Sequence, residues 1–197
     1  YDFTGKSHPR RNLLAFIDAV KKAKLQLIIR LGPICNGEMR YEGIPDRVAL
    51  DPAAVTAPPE ALWHSSAPAY LSDGFLKPGL HWFQSLLPIV QANTIDAGGP
   101  IVIVQVDNEI GMVHWVGGLK LKSRYFSDYF KALHGAARAA GIRVPILANI
   151  PMFYDFDTRG RGVFAPKTCL MFEHFEEEGV DLLGGAYQPR RLDNDNC

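Results

Sequence analysis

The sequence predicts an α/β protein built around a parallel β-sheet. Its clearest strand lies in GGPIVIVQVDNEIG, residues 98 to 111, where nearly every residue from Ile101 to Val106 is β-branched. This segment is apolar on both faces, as buried strands of parallel sheets are. Segments with apolar residues at helical spacing alternate with further strand-like segments, and this alternation is the repeating unit of a parallel sheet.

The first two predicted elements are a helix and a buried strand. Residues 10 to 24, RRNLLAFIDAVKKAK, predict an amphipathic helix that packs on the sheet. Its apolar side comprises Leu13, Leu14, Phe16, Ile17 and Val20. LQLIIRLGP follows, and it predicts a second buried strand over residues 25 to 31, ended by Gly32 and Pro33.

A long loop and two further helix–strand units come next. In chain order we predict a loop over 46 to 75, helices over 74 to 93 and roughly 123 to 141, and strands over 144 to 149 and 180 to 186. The loop is long enough to contribute to a binding site, although Trp63 within it is expected to anchor the loop. Gly141 is expected to be the C-cap of the helix over 123 to 141. His81 and Trp82, on the helix over 74 to 93, are expected to pack or face solvent.

Composition excludes several classes of partner. Lysine plus arginine and aspartate plus glutamate both number 21, so no basic excess points to nucleic acid or to an anionic membrane surface. No apolar run is long enough to cross a bilayer. Three scattered cysteines and six unpaired histidines predict neither a disulfide framework nor a metal site, and no cofactor is expected.

Polar side chains follow two of the predicted strands. Asp107, Asn108 and Glu109 follow the buried strand, and Asn36, Gly37 and Glu38 lie just past the strand of residues 25 to 31. In parallel α/β architectures the carboxyl ends of the strands meet the ligand, so these residues are candidates for a binding site. The alternatives are an acidic strand end that caps a helix and an ordinary Asn-Gly turn.

A resemblance favours the functional interpretation. QVDNEIG, residues 105 to 111, resembles the QVENEYG motif of the glycoside hydrolase family 35 β-galactosidases, which are retaining glycosidases built on (β/α)8 barrels. The resemblance implies that Glu109 is the acid/base and that Asn108 contacts the sugar. Ile110 stands where the family has an aromatic residue, which leaves one wall of the pocket in question.

A second motif resembles the same family. RLGPICNGEMRYEGIP, residues 30 to 45, aligns without gaps on the family's RPGPYICAEWEYGGLP. The resemblance places Asn36, Gly37 and Glu38 on the positions that hold the galactose hydroxyls. The positions that depart from the pattern are Ile34, Met39, Arg40 and Glu42. These departures keep another β-glycoside open as the substrate.

The resemblance also implies that residues 1 to 197 form part of a TIM barrel, approximately strands three to six. YDFTG at the start resembles the family's (F/Y)DFSG turn after the second strand, so we expect a partial catalytic domain that lacks the first two and last two strands. Tyr187, near the end of the predicted sixth strand, is a candidate substrate contact. The nucleophile of such enzymes closes the seventh strand and is expected outside this chain, in the remainder of the barrel.

Three interpretations of function follow. The first is a β-galactosidase-like hydrolase that acts on a carbohydrate substrate, the second is a hydrolase of the same clan for another β-glycoside, and the third is a truncated, non-catalytic homologue. The opening residues, YDFTGKSH, lack the features of a signal peptide, and the compartment is left open between extracellular and cytoplasmic.

Overall fold

A computed structural model describes residues 1–35, 39–55, 69–108 and 123–148, with the backbone alone over 123–127, and two short strands beyond them. The strands are β1 (Leu27–Arg30), β2 (Ile101–Gln105), β3 (Ile146–Leu147), β4 (Asp155–Phe156) and β5 (Gly162–Val163). The first three form a parallel sheet in the order β1-β2-β3, and β4 and β5 form a separate antiparallel pair. The predicted α/β class with a parallel sheet is therefore confirmed.

Helices connect the parallel strands. They are α1 (Leu13–Lys22), the short α2 (Asp46–Ala49), α3 (Asp73–Gln91) and α4 (Ser123–Ala139). Asn12 and Ser72 begin α1 and α3 as N-caps, since each side chain accepts a hydrogen bond from a backbone N–H three residues ahead. Gly141, with φ of 87°, follows the end of α4 as the predicted C-cap, and a residue with a Cβ would be strained there.

The hydrophobic core lies between the sheet and helices α3 and α4. Phe83 and Val90 of α3, Leu133 of α4, and Val104 of β2 are completely buried. Tyr70 stacks on Tyr129 with 4.4 Å between the ring centroids. The buried residues of α3, α4 and β2 therefore belong to one hydrophobic core.

The carboxyl ends of β1 and β2 are aligned by the backbone ladder. Ile29 pairs with Val104, and the hydrogen bonds continue past the strands, from Leu31 N to Gln105 O and from Asp107 N to Gly32 O, at 2.8 Å each. The two segments that carry the predicted site residues after β1 and β2 therefore leave the sheet side by side, at the carboxyl ends of these strands.

The prediction that β1 is a buried strand is wrong for half of its residues. Ile29 and Leu31 are buried, but Ile28 is 57% exposed and Leu25, before the strand, is 62% exposed. Ile28 and Ile29 project to opposite faces of the strand, and among the described residues only the face that carries Ile29 packs against the core.

The predicted apolar side of α1 is also too wide. Ile17 is buried and Leu13 packs against the core, but Leu14 and Phe16 are about half exposed. Leu13 and Ile17 are four residues apart and lie one above the other on the helix, whereas Leu14 and Phe16 are turned away from that stripe.

The region from 46 to 108 otherwise follows the prediction. The loop predicted over 46 to 75 contains the short helix α2, and its residues 56–68, with Trp63, lie outside the described part of the chain. Trp82 of α3 packs as expected, because its indole Nε1–H donates to Leu31 O at 2.7 Å. The strand predicted at 180 to 186 also lies outside the described residues.

Candidate functional site

The described residues include one member of the predicted site and the segments that flank the others. Asn108 is described, whereas Glu109, Asn36, Gly37, Glu38 and Tyr187 lie outside the described residues. The structure therefore gives the framework of the site rather than its complete set of side chains.

Asn108 links the two strand ends that carry the predicted site. It follows β2, is 4% exposed, and its side-chain Nδ2 donates to the backbone oxygen of Cys35 at 2.6 Å. Cys35 immediately precedes Asn36, and Asn108 immediately precedes Glu109. Cys35, directly before Asn36, and Asn108, directly before Glu109, are thus hydrogen-bonded to each other.

The loop that would carry Asn36, Gly37 and Glu38 is anchored on both flanks. Cys35 N donates to Glu42 O at 3.0 Å, and Glu42 N donates to Met39 O at 3.0 Å. Gly43 has φ of 85°, and a side chain there would collide with Cys35 Sγ, so a glycine is needed for this close approach. These contacts fix the points at which the segment 36–38 leaves and rejoins the described chain.

Asp107 was predicted only as one of three polar candidates after the buried strand, and sequence reasoning gave it no individual role. Its side chain is completely buried, and its backbone has φ of 58°, in the left-handed region. The carboxylate Oδ1 accepts from Asn108 N at 2.8 Å and from Ile34 N at 3.1 Å. The signal that could have identified it was a carboxylate placed directly after a strand that is apolar on both faces.

Burial controls the ionisation of Asp107. Loss of water around the carboxyl group raises its pKa to about 7. The nearby Tyr129 hydroxyl and the N–H groups of Asn108 and Ile34 act in the opposite direction, because they favour the ionised form, but they offset only part of the effect. Asp107 can therefore change its charge close to neutral pH.

A cleft of about 430 Å³ lies beside β1. Its walls come from the end of β1, residues 43–48 and the first half of α3, and Arg30, Cys35 and Trp82 are among its lining residues. Gly32 and Cys35, which bond the end of β2, also line this cleft, whereas Asn108 does not.

The described residues hold no cluster of three or more metal-ligating side chains. Among the helices of these same residues, none combines the length and apolar character needed to span a membrane.

The fold and the strand-end contacts define a class of protein. A parallel sheet with α-helical connections, and with buried polar groups where adjacent strands end, is typical of α/β enzymes that bind a ligand at that edge. The comparison with protein families gives the particular class, because the profile of the glycosyl hydrolases family 35 matches residues 1–138. The chain belongs to this family of glycoside hydrolases, and membership implies that its parallel sheet is a portion of a TIM barrel.

Relatives that are named for different activities resemble the chain. It is 34% identical to a β-1,2-glucosyltransferase of Ignavibacterium album over 127 residues, which are 60% of this chain and 17% of that protein. It is 34% identical to an exo-β-D-glucosaminidase of Pyrococcus horikoshii over 115 residues, 55% of this chain and 15% of that protein. It is 25% identical to a probable β-galactosidase C of Aspergillus niger over 149 residues, 76% of this chain and 13% of that protein.

The chain therefore spans 13% to 17% of the length of these relatives. Their activities differ in the sugar and, for the transferase, in the acceptor. The substrate of the protein that contains this chain is therefore a matter for proposal.

Proposed function

We propose that the protein containing these residues is a retaining exo-β-glycosidase, with terminal β-linked galactose as the first substrate to test. The hydrogen bond from Asn108 Nδ2 to Cys35 O carries the proposal. It supports the view that two family motifs, separated by about seventy residues of chain, contribute to one sugar site.

In the proposed mechanism Glu109 is the general acid and then the general base. Retaining glycosidases use one carboxyl group to protonate the leaving oxygen and a second, about 5 Å away, to attack the anomeric carbon. Water, activated by the first group, then releases the sugar from the enzyme. An acid that must hold its proton near neutral pH needs a raised pKa, and burial at the end of an apolar strand provides the kind of environment that raises one.

The remaining predicted residues are assigned to sugar binding. Asn108 would contact the 2-hydroxyl, and its hydrogen bond to Cys35 O uses one of the two amide donors while orienting the side chain. Asn36, Gly37 and Glu38 would bind further hydroxyls from the loop after β1, and Tyr187 would contact the substrate from the predicted sixth strand.

We further propose that β1, β2 and β3 are the third, fourth and fifth strands of the barrel. Their parallel order and sequential connection by helices support this numbering. The predictions that residues 1–197 form a partial barrel and that the nucleophile lies outside them remain predictions.

Glu109→Gln in the full-length protein tests the acid/base role. Substrates with poor leaving groups, such as disaccharides, need a proton and should lose about 10²–10⁴-fold in kcat/KM. Aryl glycosides with good leaving groups need none for the first step and should retain much more of the rate of that step. Initial rates and pre-steady-state bursts on both classes measure the difference.

Glu177→Gln is the matched control, because it makes the same chemical change in an acidic run that the sequence predicts to be solvated. It should leave both rates unchanged. Equal losses on the two substrate classes for Glu109→Gln would contradict the acid/base role.

The similarity to a transferase and to a glucosaminidase makes the sugar and the acceptor worth testing together. We would measure kcat/KM for aryl β-galactoside, β-glucoside and β-glucosaminide, then analyse the products with excess free sugar present. Preference for the galactoside with release of free galactose supports the proposal. Preference for another sugar assigns the alternative substrate, and sugar–sugar products assign transfer.

A further inference from the structure

We propose that Asp107 is a positioning residue of the glycosidase site. Its carboxylate joins the end of β2 to the loop after β1 and so sets the spacing between the Asn108–Glu109 pair and the sugar-binding loop that begins after Cys35. The geometry that carries this inference lies entirely between Gly32–Cys35 and Asp107–Asn108. The inference rests on the proposed function and adds a residue that the motif resemblance did not assign.

Three contacts around Asp107 and Asn108 connect the two strand ends. Asp107 N donates to Gly32 O at 2.8 Å, Ile34 N donates to Asp107 Oδ1 at 3.1 Å, and Asn108 Nδ2 donates to Cys35 O at 2.6 Å. The contacts follow one another along both segments. The loop after β1 is therefore tied to the end of β2 at successive positions up to the residue before Asn36.

The backbone at Asp107 explains how one residue makes these connections. A left-handed conformation is strained for a residue other than glycine and persists only when its surroundings hold it. Here Asn108 N donates to Asp107 Oδ1 at 2.8 Å, a local contact that helps aspartate adopt this conformation. The change of direction at the strand end brings the Asn108 side chain to Cys35.

A carboxyl group is an unfavourable side chain for this position if its only role is to fill space in the core. The side chain is completely buried, and removing a carboxyl group from water is costly unless hydrogen bonds compensate. The acceptor oxygen Oδ1 serves two N–H donors from two different strand ends. Oδ1 can accept these bonds whether the group is ionised or carries its proton on Oδ2, so the connection is kept across neutral pH.

The test compares Asp107→Ala with Asp107→Asn in the full-length protein. Alanine removes the acceptor, whereas asparagine keeps an oxygen in the same place and accepts the left-handed backbone. We expect kcat on the best aryl glycoside, per active site titrated with a mechanism-based inactivator, to fall about 10²-fold for Asp107→Ala, as small misplacements do. Asp107→Asn should retain most of the wild-type kcat.

Normalising to titrated sites separates positioning from stability. A purely structural role would lower the melting temperature and the number of active sites without changing kcat at each site. Thr94→Val is the matched control: Thr94 is also buried, its hydroxyl bonds Gln91 O at 3.1 Å, and it lies before the opposite end of β2. It should lower stability without changing kcat per site.

If Asp107→Ala does not fold, Asp107→Ser replaces it, because the serine side chain is shorter and its oxygen does not reach the position of Oδ1, which accepts from both N–H donors. Its kcat per site should lie clearly below that of Asp107→Asn. Wild-type kcat per site for Asp107→Ala or Asp107→Ser overturns the inference, and so does an Asp107→Asn enzyme that is as impaired as Asp107→Ala. A wild-type protein inactive on every glycoside overturns the proposed function instead, and the inference with it.

Discussion

At the scale of single residues, the charge state of Asp107 makes the protein's stability depend on pH. Burial raises the pKa of this carboxyl group from 3.8 to about 7. Between these two values the folded protein holds a proton that the unfolded chain has released. The free energy of unfolding therefore falls as pH rises through this window, by at most about 1.4 kcal/mol per pH unit, and the contribution is lost above it.

Asp107→Asn removes this titration while preserving the shape of the side chain. We expect the wild type to lose stability relative to Asp107→Asn between about pH 4 and about pH 7, and the difference to level off at higher pH. Urea unfolding of both proteins across this range measures it. All other groups are shared by the two proteins and cancel in the difference, so parallel stability curves would show that Asp107 is ionised throughout.

At the scale of secondary-structure elements, periodicity predicted which segments are strands and helices better than it predicted their exposure. The prediction for β2 was largely correct, because Ile101, Val104 and Gln105 are buried while Val102 and Ile103 are partly exposed. The segment LIIR of β1 is similarly apolar, yet Ile28 is exposed, because exposure depends on whether other elements cover that face of the strand. Which faces are covered is a property of the fold, and local sequence carries no direct signal for it.

In the candidate site too, the sequence predicted where residues lie along the chain better than it predicted their contacts. Motifs identified Asn108 as a residue at a strand end, and its contact with Cys35 agrees with the predicted meeting of two strand ends. The role of Asp107 could not be read from the motif, because it depends on a left-handed backbone and on Ile34 N, more than seventy residues away in sequence.

Helix α3 supplies completely buried side chains to the core, and Phe83 gives a clear test of that packing. Phe83 is completely buried, so Phe83→Ala should lower the free energy of unfolding by about 3–5 kcal/mol through lost burial and the cavity left behind. Ile95→Ala is the control, since Ile95 is 48% exposed and its truncation should cost under about 0.5 kcal/mol. Chemical denaturation of the full-length variants measures both. Similar losses at the two positions would contradict the assigned core.

At the scale of the whole molecule, the described sheet has three parallel strands, and β1 and β3 are its edges among the described residues. Open strand edges favour self-association, and a retaining glycosidase needs a second carboxylate at the right distance. We therefore predict that a polypeptide of residues 1–197 alone hydrolyses no galactoside and does not remain a stable monomer. Light scattering and an aryl galactoside assay test this, and an active monomer would refute the strand assignment.

The central claim is that the ends of β1 and β2 form one sugar site. It is tested most directly by a crystal structure of the full-length Glu109→Gln variant with the β-glycoside that the substrate panel identifies. We predict that the sugar lies where these two strands end, with its 2-hydroxyl about 3 Å from the Asn108 amide and another hydroxyl at a similar distance from Glu38. A sugar bound elsewhere, or Glu38 and residue 109 directed to opposite sides of the sheet, would contradict it.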